Sequence, residues 1–148
     1  MPETEGNAPI ANEPEPWEYV LHIPHDLRAV TVCRRTVRLI LTMHGLIRLT
    51  DIAELLATEL ISNAVRHTKG PVALRLRMRA GVLRVGAWDA DPEPPQPPPS
   101  AEALTQLAHL EEGRGIALVS SCADLWGWQP LSRSGIKGKY VWGDLAAA

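Results

Sequence analysis

Residues 59–68 read E-L-I-S-N-A-V-R-H-T and close an amphipathic segment. Apolar residues recur through this segment at intervals of three or four, which predicts a helix over 50–67. Glu59, Asn63 and His67 are spaced four apart, so their side chains share one stripe beside the apolar side of the helix. A carboxylate and a carboxamide one turn apart can serve one magnesium ion, although the pattern also fits a solvated helix face.

A β-hairpin is expected directly after this helix. Residues 71–79 alternate strictly between apolar and other side chains, and this period of two predicts a strand with one buried face. Ala80-Gly81 is typical of a tight turn, and 82–88 is the second strand. The solvent-exposed face of the first strand is expected to be basic, because it carries Arg75, Arg77 and Arg79. It could meet an acidic partner, but a solvated sheet face is the favoured interpretation.

The chain before this helix predicts a tail, a strand and another helix. Residues 1–16 contain four prolines and four glutamates, which favours a disordered acidic tail, with a functional acidic arm as the alternative. Residues 17–23 mix aromatic and β-branched side chains and predict a strand. Asp26 is a candidate N-cap for an amphipathic helix over 27–44, and Thr50 or Asp51 for the helix over 50–67.

The chain after the hairpin begins with a proline-rich stretch. Residues 89–100 contain six prolines and predict a stiff, extended connector. Helices are expected over 101–110 and 116–123, and strands over 125–129 and 139–145. This order predicts one α/β domain over residues 17–148, a two-layer sandwich in which helices cover one face of a mixed, mostly antiparallel sheet.

Composition excludes several classes of protein. The formal net charge is -2 and the pI about 6.2, which argues against direct nucleic-acid binding. Cys33 and Cys122 lie far apart in apolar stretches, so buried free thiols in a reducing compartment are expected. No segment is apolar enough for a membrane span and the chain opens without a signal peptide, so a cytoplasmic location is predicted.

Asp89 follows directly after an apolar strand. A carboxylate at such a strand end can accept a hydrogen bond from an exocyclic amino group, such as that of adenine. The alternative is an Asx turn that starts the proline-rich stretch.

Two glycine-containing segments are candidates for phosphate binding. Gly113, Arg114 and Gly115 open a helix, where backbone N–H groups and an arginine could hold phosphate. Lys137 and Lys139 lie in a glycine-rich turn and could also help to hold phosphate. An ordinary helix start and a solvated hairpin are the respective alternatives.

Together, four motifs in order resemble a known family. The run E-L-I-S-N-A-V-R-H-T, a hairpin ending in D-A-D-P, then E-G-R-G-I-A-L-V and G-K-Y-V-W, is similar to the ATP-binding superfamily of gyrases, sensor histidine kinases and MutL proteins, called GHKL. The resemblance covers residues 17–145. It is nearest to single-domain anti-sigma-factor serine kinases and the short ATP-binding regulatory proteins common in actinobacteria. It implies a histidine kinase-like (Bergerat-type) fold that binds ATP and magnesium.

The resemblance also implies a role for several residues. Glu59 would be the general base or would orient water, Asn63 would ligate magnesium, and Asp89 would bind the adenine amino group. His67 ends the first motif and would either contact nucleotide or be a hydrogen-bonded structural residue.

The remaining implied nucleotide contacts surround a lid. The lid would span 90–112, and Gly113, Arg114 and Gly115 would border the phosphates at its end. Asp91 and Lys139 complete the implied nucleotide-binding set.

Two departures from the family pattern concern the adenine side. Asp91-Pro92 stands where glycines usually follow the adenine-binding aspartate, and proline stiffens the start of the lid. Tyr140 stands where a threonine is usual in the last motif.

The branch implies a serine/threonine kinase that acts as an anti-sigma factor. A homodimer would hold a sigma factor and phosphorylate a serine of an antagonist protein. One alternative is an ATP-sensing regulator that binds a partner and transfers nothing, and a second is an ATPase domain from a larger machine.

Overall fold

The computed structural model describes residues 15–95 and 125–147. The described elements are β1 Trp17–Ile23, α1 Arg28–Met43, α2 Thr50–His67, β2 Val72–Arg79, β3 Val82–Asp89, β4 Leu125–Pro130 and β5 Lys139–Ala146, with a 3-10 turn at Ile47–Leu49 before α2. Each lies within one residue of its predicted bounds. The tail over 1–14, the lid from residue 96 onward and the predicted helices over 101–110 and 116–123 lie outside the described residues.

The described strands form one antiparallel sheet in the order β1-β2-β3-β5-β4. β2 and β3 are joined by the predicted tight turn. Ala80 and Gly81 both take positive φ angles, 51° and 75°, and such turns match the twist of paired strands. The two helices cover one face, which confirms the α/β two-layer sandwich. Neither described helix is long and apolar enough to cross a membrane.

The core fills the space between the helices and one face of the sheet. Alternate residues of β2 and β3 point into it, and the central residues of α2 meet them from the other side. Its largest fully buried side chains include Leu41, Leu56, Ile61, Leu74, Leu76, Met78 and Leu83. Burial of each such side chain stabilises the fold by roughly 1.5–3 kcal/mol, so these residues fix the position of α2 on the sheet.

The two helices begin differently. Leu27, directly before α1, already has helical angles (φ -61°, ψ -23°), so the helical conformation starts there and Asp26 caps it as predicted, with its carboxylate accepting the Arg28 N–H at 2.9 Å. The predicted cap of α2 by Thr50 or Asp51 is wrong. The turn Ile47–Leu49 runs straight into α2, so Thr50 has helical angles (φ -60°, ψ -46°), whereas a capping residue needs extended backbone. The Thr50 hydroxyl instead donates to the Ile47 carbonyl.

Candidate active site

The polar stripe of α2 lies at the edge of the core, as predicted. Glu59 and Asn63 are half-buried, while His67 at the end of the helix is exposed. On the same helix, Leu56 and Leu60 are buried. The stripe therefore lies along the margin of the buried side of α2, so Glu59 and Asn63 can contact both a ligand and solvent.

Glu59 differs from the other two acids of α2 in its contacts. Arg38 of α1 donates to Asp51 at 2.5 Å and forms an ion pair with Glu54. No described residue forms an ion pair or side-chain hydrogen bond with Glu59 or with Asn63. One carboxylate and one carboxamide are thus free for ligands, one helical turn apart.

Asp89 ends β3 and points to the helix side of the sheet, in line with the core residues Val85 and Ala87. It is buried, and its Oδ1 atom accepts two hydrogen bonds, from the Asp91 N–H at 2.9 Å and from Lys139 Nζ at 3.1 Å. No described residue donates to Oδ2, so this oxygen remains an acceptor for a ligand amino group.

Lys139 is the cation of this cluster. Its side chain and that of Asp89 are each 6% exposed, and its Nζ also donates to the Asp91 carbonyl at 3.0 Å and lies 3.7 Å from Asp91 Oδ2. Sequence reasoning placed Lys139 among the nucleotide-binding residues but missed this ion pair. The pair depends on strand register, because Asp89 and Lys139 are directly opposite each other in β3 and β5, and the sequence alone carries no signal for it.

The electrostatics of Asp89 follow from these contacts. Burial raises the pKa of Asp89 above its usual 3.8, while the Asp91 N–H and the Lys139 ammonium act in the opposite direction. Lys139 therefore helps to keep a buried carboxylate ionised, and an ionised carboxylate is the stronger acceptor of a hydrogen bond from an amino group.

The end of α2 and Asp89 lie at the same end of the sheet. Only four residues separate α2 from Val72, which is paired with Asp89. Gly70 lies in this connection, and a Cβ there would be 2.7 Å from Ala90 Cβ. The glycine thus lets the connection after α2 approach the first residue beyond β3.

The other candidates fall in different places. Gly113, Arg114 and Gly115 lie outside the described residues. Tyr140 points to the opposite face of the sheet, where its ring stacks on Trp142 with centroids 5.6 Å apart. The change from threonine to Tyr140 therefore removes no group from the Asp89 side, which Lys139 occupies instead.

The loop between β4 and β5 packs against the end of β3 that carries Asp89. Trp88 Nε1 donates to the Leu131 carbonyl at 2.7 Å, and a Cβ on Gly138 would overlap the Asp89 carbonyl and lie 2.7 Å from the Trp88 ring. Sequence reasoning missed Trp88 and Gly138 as supports of the site, since a turn glycine and a strand tryptophan have many ordinary uses.

A family model for the histidine kinase-like ATPase domain matches residues 23–135, more than half of the 148 residues. The chain belongs to the histidine kinase-like ATPase domain family. A search of curated proteins gives no significant match. The four-motif resemblance to GHKL proteins is thereby confirmed, and with it ATP binding as the property of this ATPase domain.

The described residues of the ATPase domain fit ATP and magnesium chemically. Asp89 Oδ2 offers an acceptor for the adenine amino group. Asn63 offers one neutral oxygen, which suits magnesium because this ion keeps several waters and phosphate oxygens. No group of three or more His, Cys, Asp or Glu side chains that could hold a metal occurs in ranges 15–95 and 125–147.

Proposed function

We propose that this ATPase domain is an ATP- and magnesium-dependent regulatory protein that phosphorylates a serine of an antagonist protein and binds a sigma factor. The observation that carries the proposal is the pair Glu59 and Asn63. Both are half-buried, they lie one turn apart, and neither bonds to another described residue. A homodimer that binds the sigma factor follows from the resemblance to the anti-sigma branch.

The proposed reaction is a transfer of the γ-phosphoryl group. The serine hydroxyl oxygen of the antagonist bonds to the γ-phosphorus, the bond from that phosphorus to the β–γ bridging oxygen breaks, and ADP leaves. Glu59 accepts the serine proton, for which it needs a free carboxylate. Bound magnesium would spread the negative charge of the phosphates, with Asn63 as its protein ligand.

Asp89 and Lys139 would act at the other end of the nucleotide. Asp89 Oδ2 would accept a hydrogen bond from the amino group of adenine, and Lys139 would hold the carboxylate in position through its hydrogen bond to Oδ1. His67, Asp91 and the segment 113–115 would complete the nucleotide contacts.

A second candidate function is an ATP-sensing regulator that binds its partner without phosphoryl transfer. Lys139 supports it, because its ammonium joins Asp89 to both the carbonyl and the carboxylate of Asp91. Pro92 follows directly. A tied and stiff start of the proposed lid favours binding over repeated closure.

Calorimetry tests the nucleotide site. We expect the intact protein to bind ATP more tightly with magnesium than without it, and Asn63→Ala to lose the magnesium-dependent part. Arg66→Ala, an exposed residue on the same helix, should leave binding unchanged. A folded protein that binds no ATP even at saturating magnesium would refute the nucleotide site.

Phosphoryl transfer needs a separate measurement. Glu59→Gln should bind ATP like the wild type but lose release of ADP in the presence of serine-bearing candidate antagonists. Glu54→Gln is the matched control, since Glu54 is paired with Arg38. Equal ADP release by wild type and Glu59→Gln would favour the binding-only regulator.

A further inference from the structure

The face of the sheet opposite the helices carries a second, unrelated set of charges. Arg75, Arg77 and Arg79 project from β2 and Arg84 from β3; these four residues are called the basic sheet face. Glu18 bonds to Arg75 at 2.9 Å, and Asp144 bonds to Arg84 through both oxygens at 2.7 and 2.9 Å. Arg77 and Arg79 have no acidic partner among the described residues.

Arg77 has a like charge beside it in the sheet. It is paired directly with Arg84 across β2 and β3, where like charges destabilise a sheet, and Glu18, its neighbour in β1, accepts a hydrogen bond from Arg75 instead. Burial lowers the pKa of Arg77, and the neighbouring Arg84, Arg79 and Arg75 lower it further. The surface therefore favours any negative group that can reach it.

Hydrogen-bond donors on this face lack acceptors. Among the described residues, four buried atoms of this face have no hydrogen-bond partner: Arg75 Nε, Arg77 Nε, Tyr140 Oη and Trp142 Nε1. Tyr140 is only 3% exposed. Buried donors are almost always paired in folded proteins, so these four atoms are an energetic cost of the face. Because each of them is covered from solvent, a docked segment would contact the accessible parts of the arginine side chains instead.

The N-terminal segment has the complementary composition. Residues 1–16 contain no Lys or Arg, and their acids are Glu3, Glu5, Glu13 and Glu15. Its point of attachment lies at the edge of this face, since Pro16 and Trp17 line one shallow pocket together with Glu18, Arg77 and Arg79. Glu15 lines a neighbouring pocket with His44 and Leu46, so the acids that precede Glu15 would supply the contacts with the arginines.

The distances allow the contact. β1 is an edge strand, and β3 is the second strand from it, about 10 Å away at the usual strand spacing. Glu13 is four residues from Trp17 along the chain, which gives a reach of about 13 Å when extended. Glu13 can therefore reach Arg77 and Arg84, and the more distant acids can cross the remaining strands.

We propose that the basic sheet face is a docking site for an acidic peptide segment, and that residues 3–15 of the same chain are its occupant. Glutamate oxygens would supply acceptors for Arg77 and Arg79, which the fold leaves without an acid. The inference is independent of ATP binding, because the face lies on the side of the sheet opposite Asp89.

A spin label on the N-terminal segment tests this contact in the full chain. The label is placed at Ala11→Cys in a Cys122→Ser background, where Cys33 is buried and unreactive. We expect broadening of the amide resonances of residues 75–79 and 82–86, and its loss at about 1 M NaCl, where the Debye length is about 3 Å.

Charge variants make the test specific. Arg77→Gln with Arg79→Gln should abolish the broadening, whereas Arg34→Gln with Arg35→Gln, two exposed arginines of α1, should not. Replacement of Glu3, Glu5, Glu13 and Glu15 by glutamine should also abolish it, and these changes leave the sheet untouched. Broadening that persists in either the Arg77/Arg79 or the glutamine variant would overturn the proposal.

Mixed samples separate contact within one chain from contact between copies. Spin-labelled chains without isotope are mixed with isotope-labelled chains that carry no spin label. We expect no broadening in the mixture. Broadening in the mixture would show that the segment docks on a second copy. A basic sheet face whose resonances are unaffected in every sample would show that the segment does not bind there and leave the face to a different partner. Either result would overturn docking within the chain.

Discussion

Lys139 Nζ lies 3.1 Å from Asp89 Oδ1, and each of the two side chains is only 6% exposed. Two charges in such a place stabilise the fold only as a pair, because each alone would be desolvated without compensation. The pair therefore links the strand register of β3 and β5 to the position of Asp89 at the proposed nucleotide site.

Lys139→Met tests that link. Removal of the ammonium leaves a buried carboxylate without its cation, so we expect the free energy of unfolding to fall by about 3–5 kcal/mol. Urea denaturation measures it. Lys137→Met is the matched control, because Lys137 is exposed in the adjoining turn. Equal losses in the two variants would show that the ion pair adds nothing to stability.

Asp89→Asn tests the choice of nucleobase. A carboxylate accepts from a 6-amino group and offers nothing to a 6-oxo group, so the wild type should prefer ATP to GTP. Asparagine can donate as well as accept. Loss of one charge-assisted hydrogen bond, about 1.5–3 kcal/mol, should reduce the ATP preference by about 10- to 100-fold. Calorimetry with both nucleotides measures the ratio.

The same carboxylate gives a pH dependence. Binding needs ionised Asp89, which exists above its pKa, and burial raises that pKa above 3.8. ATP affinity should therefore fall at a higher pH on acidification than a solvent-exposed aspartate would allow. Asp89→Asn should lack this acidic loss; if it shows the same loss as the wild type, titration of another group is responsible.

The sequence predicts the fold well where its periods are clear. The alternation in β2 and the three-to-four spacing in α2 fix their ends within one residue, because each pattern follows from one buried face. The start of α2 was predicted wrongly, since Thr50 is a good capping residue by type, but the preceding turn gives it helical angles. Local composition does not contain that information.

The candidate site was predicted in part for a similar reason. Glu59, Asn63 and Asp89 were proposed from the order of the motifs, and their roles stay a prediction. The partner of Lys139 depends on which residues are opposite each other in β3 and β5. The same pairing decides which face of the sheet carries Tyr140. Both follow from strand register, which spans about fifty residues of intervening chain here and is set by the tertiary fold.

Asp26 offers a test of helix capping by charge. Hydrogen bonds from the Arg28 side chain and N–H lower the pKa of Asp26 from 3.8 to about 2. A lowered pKa means that the folded state favours the ionised form, so the stabilisation is complete well above 3.8 and disappears as the pH falls towards 2.

Asp26→Asn should thus lower the melting temperature near neutral pH and have little effect at the acidic end, because asparagine keeps the capping bond but lacks the charge. Thermal unfolding followed by circular dichroism across this range measures both. A difference that stays constant with pH would assign the effect to side-chain geometry.

Gly138→Ala tests the support beneath Asp89. The added Cβ would overlap the Asp89 carbonyl, a backbone atom in the β3–β5 ladder, and would lie 2.7 Å from the Trp88 ring. Backbone held between two paired strands cannot move aside cheaply, so we expect a loss of about 1–3 kcal/mol together with weaker ATP binding.

Gly86→Ala is the matched control, because the atoms nearest to its Cβ would belong to the Tyr140 side chain, on the opposite face. It should destabilise the fold without a comparable loss of ATP affinity in the fraction that remains folded. If both variants weaken ATP binding equally, the site depends on the stability of the whole sheet, and the contact between Gly138 and Asp89 has no separate role.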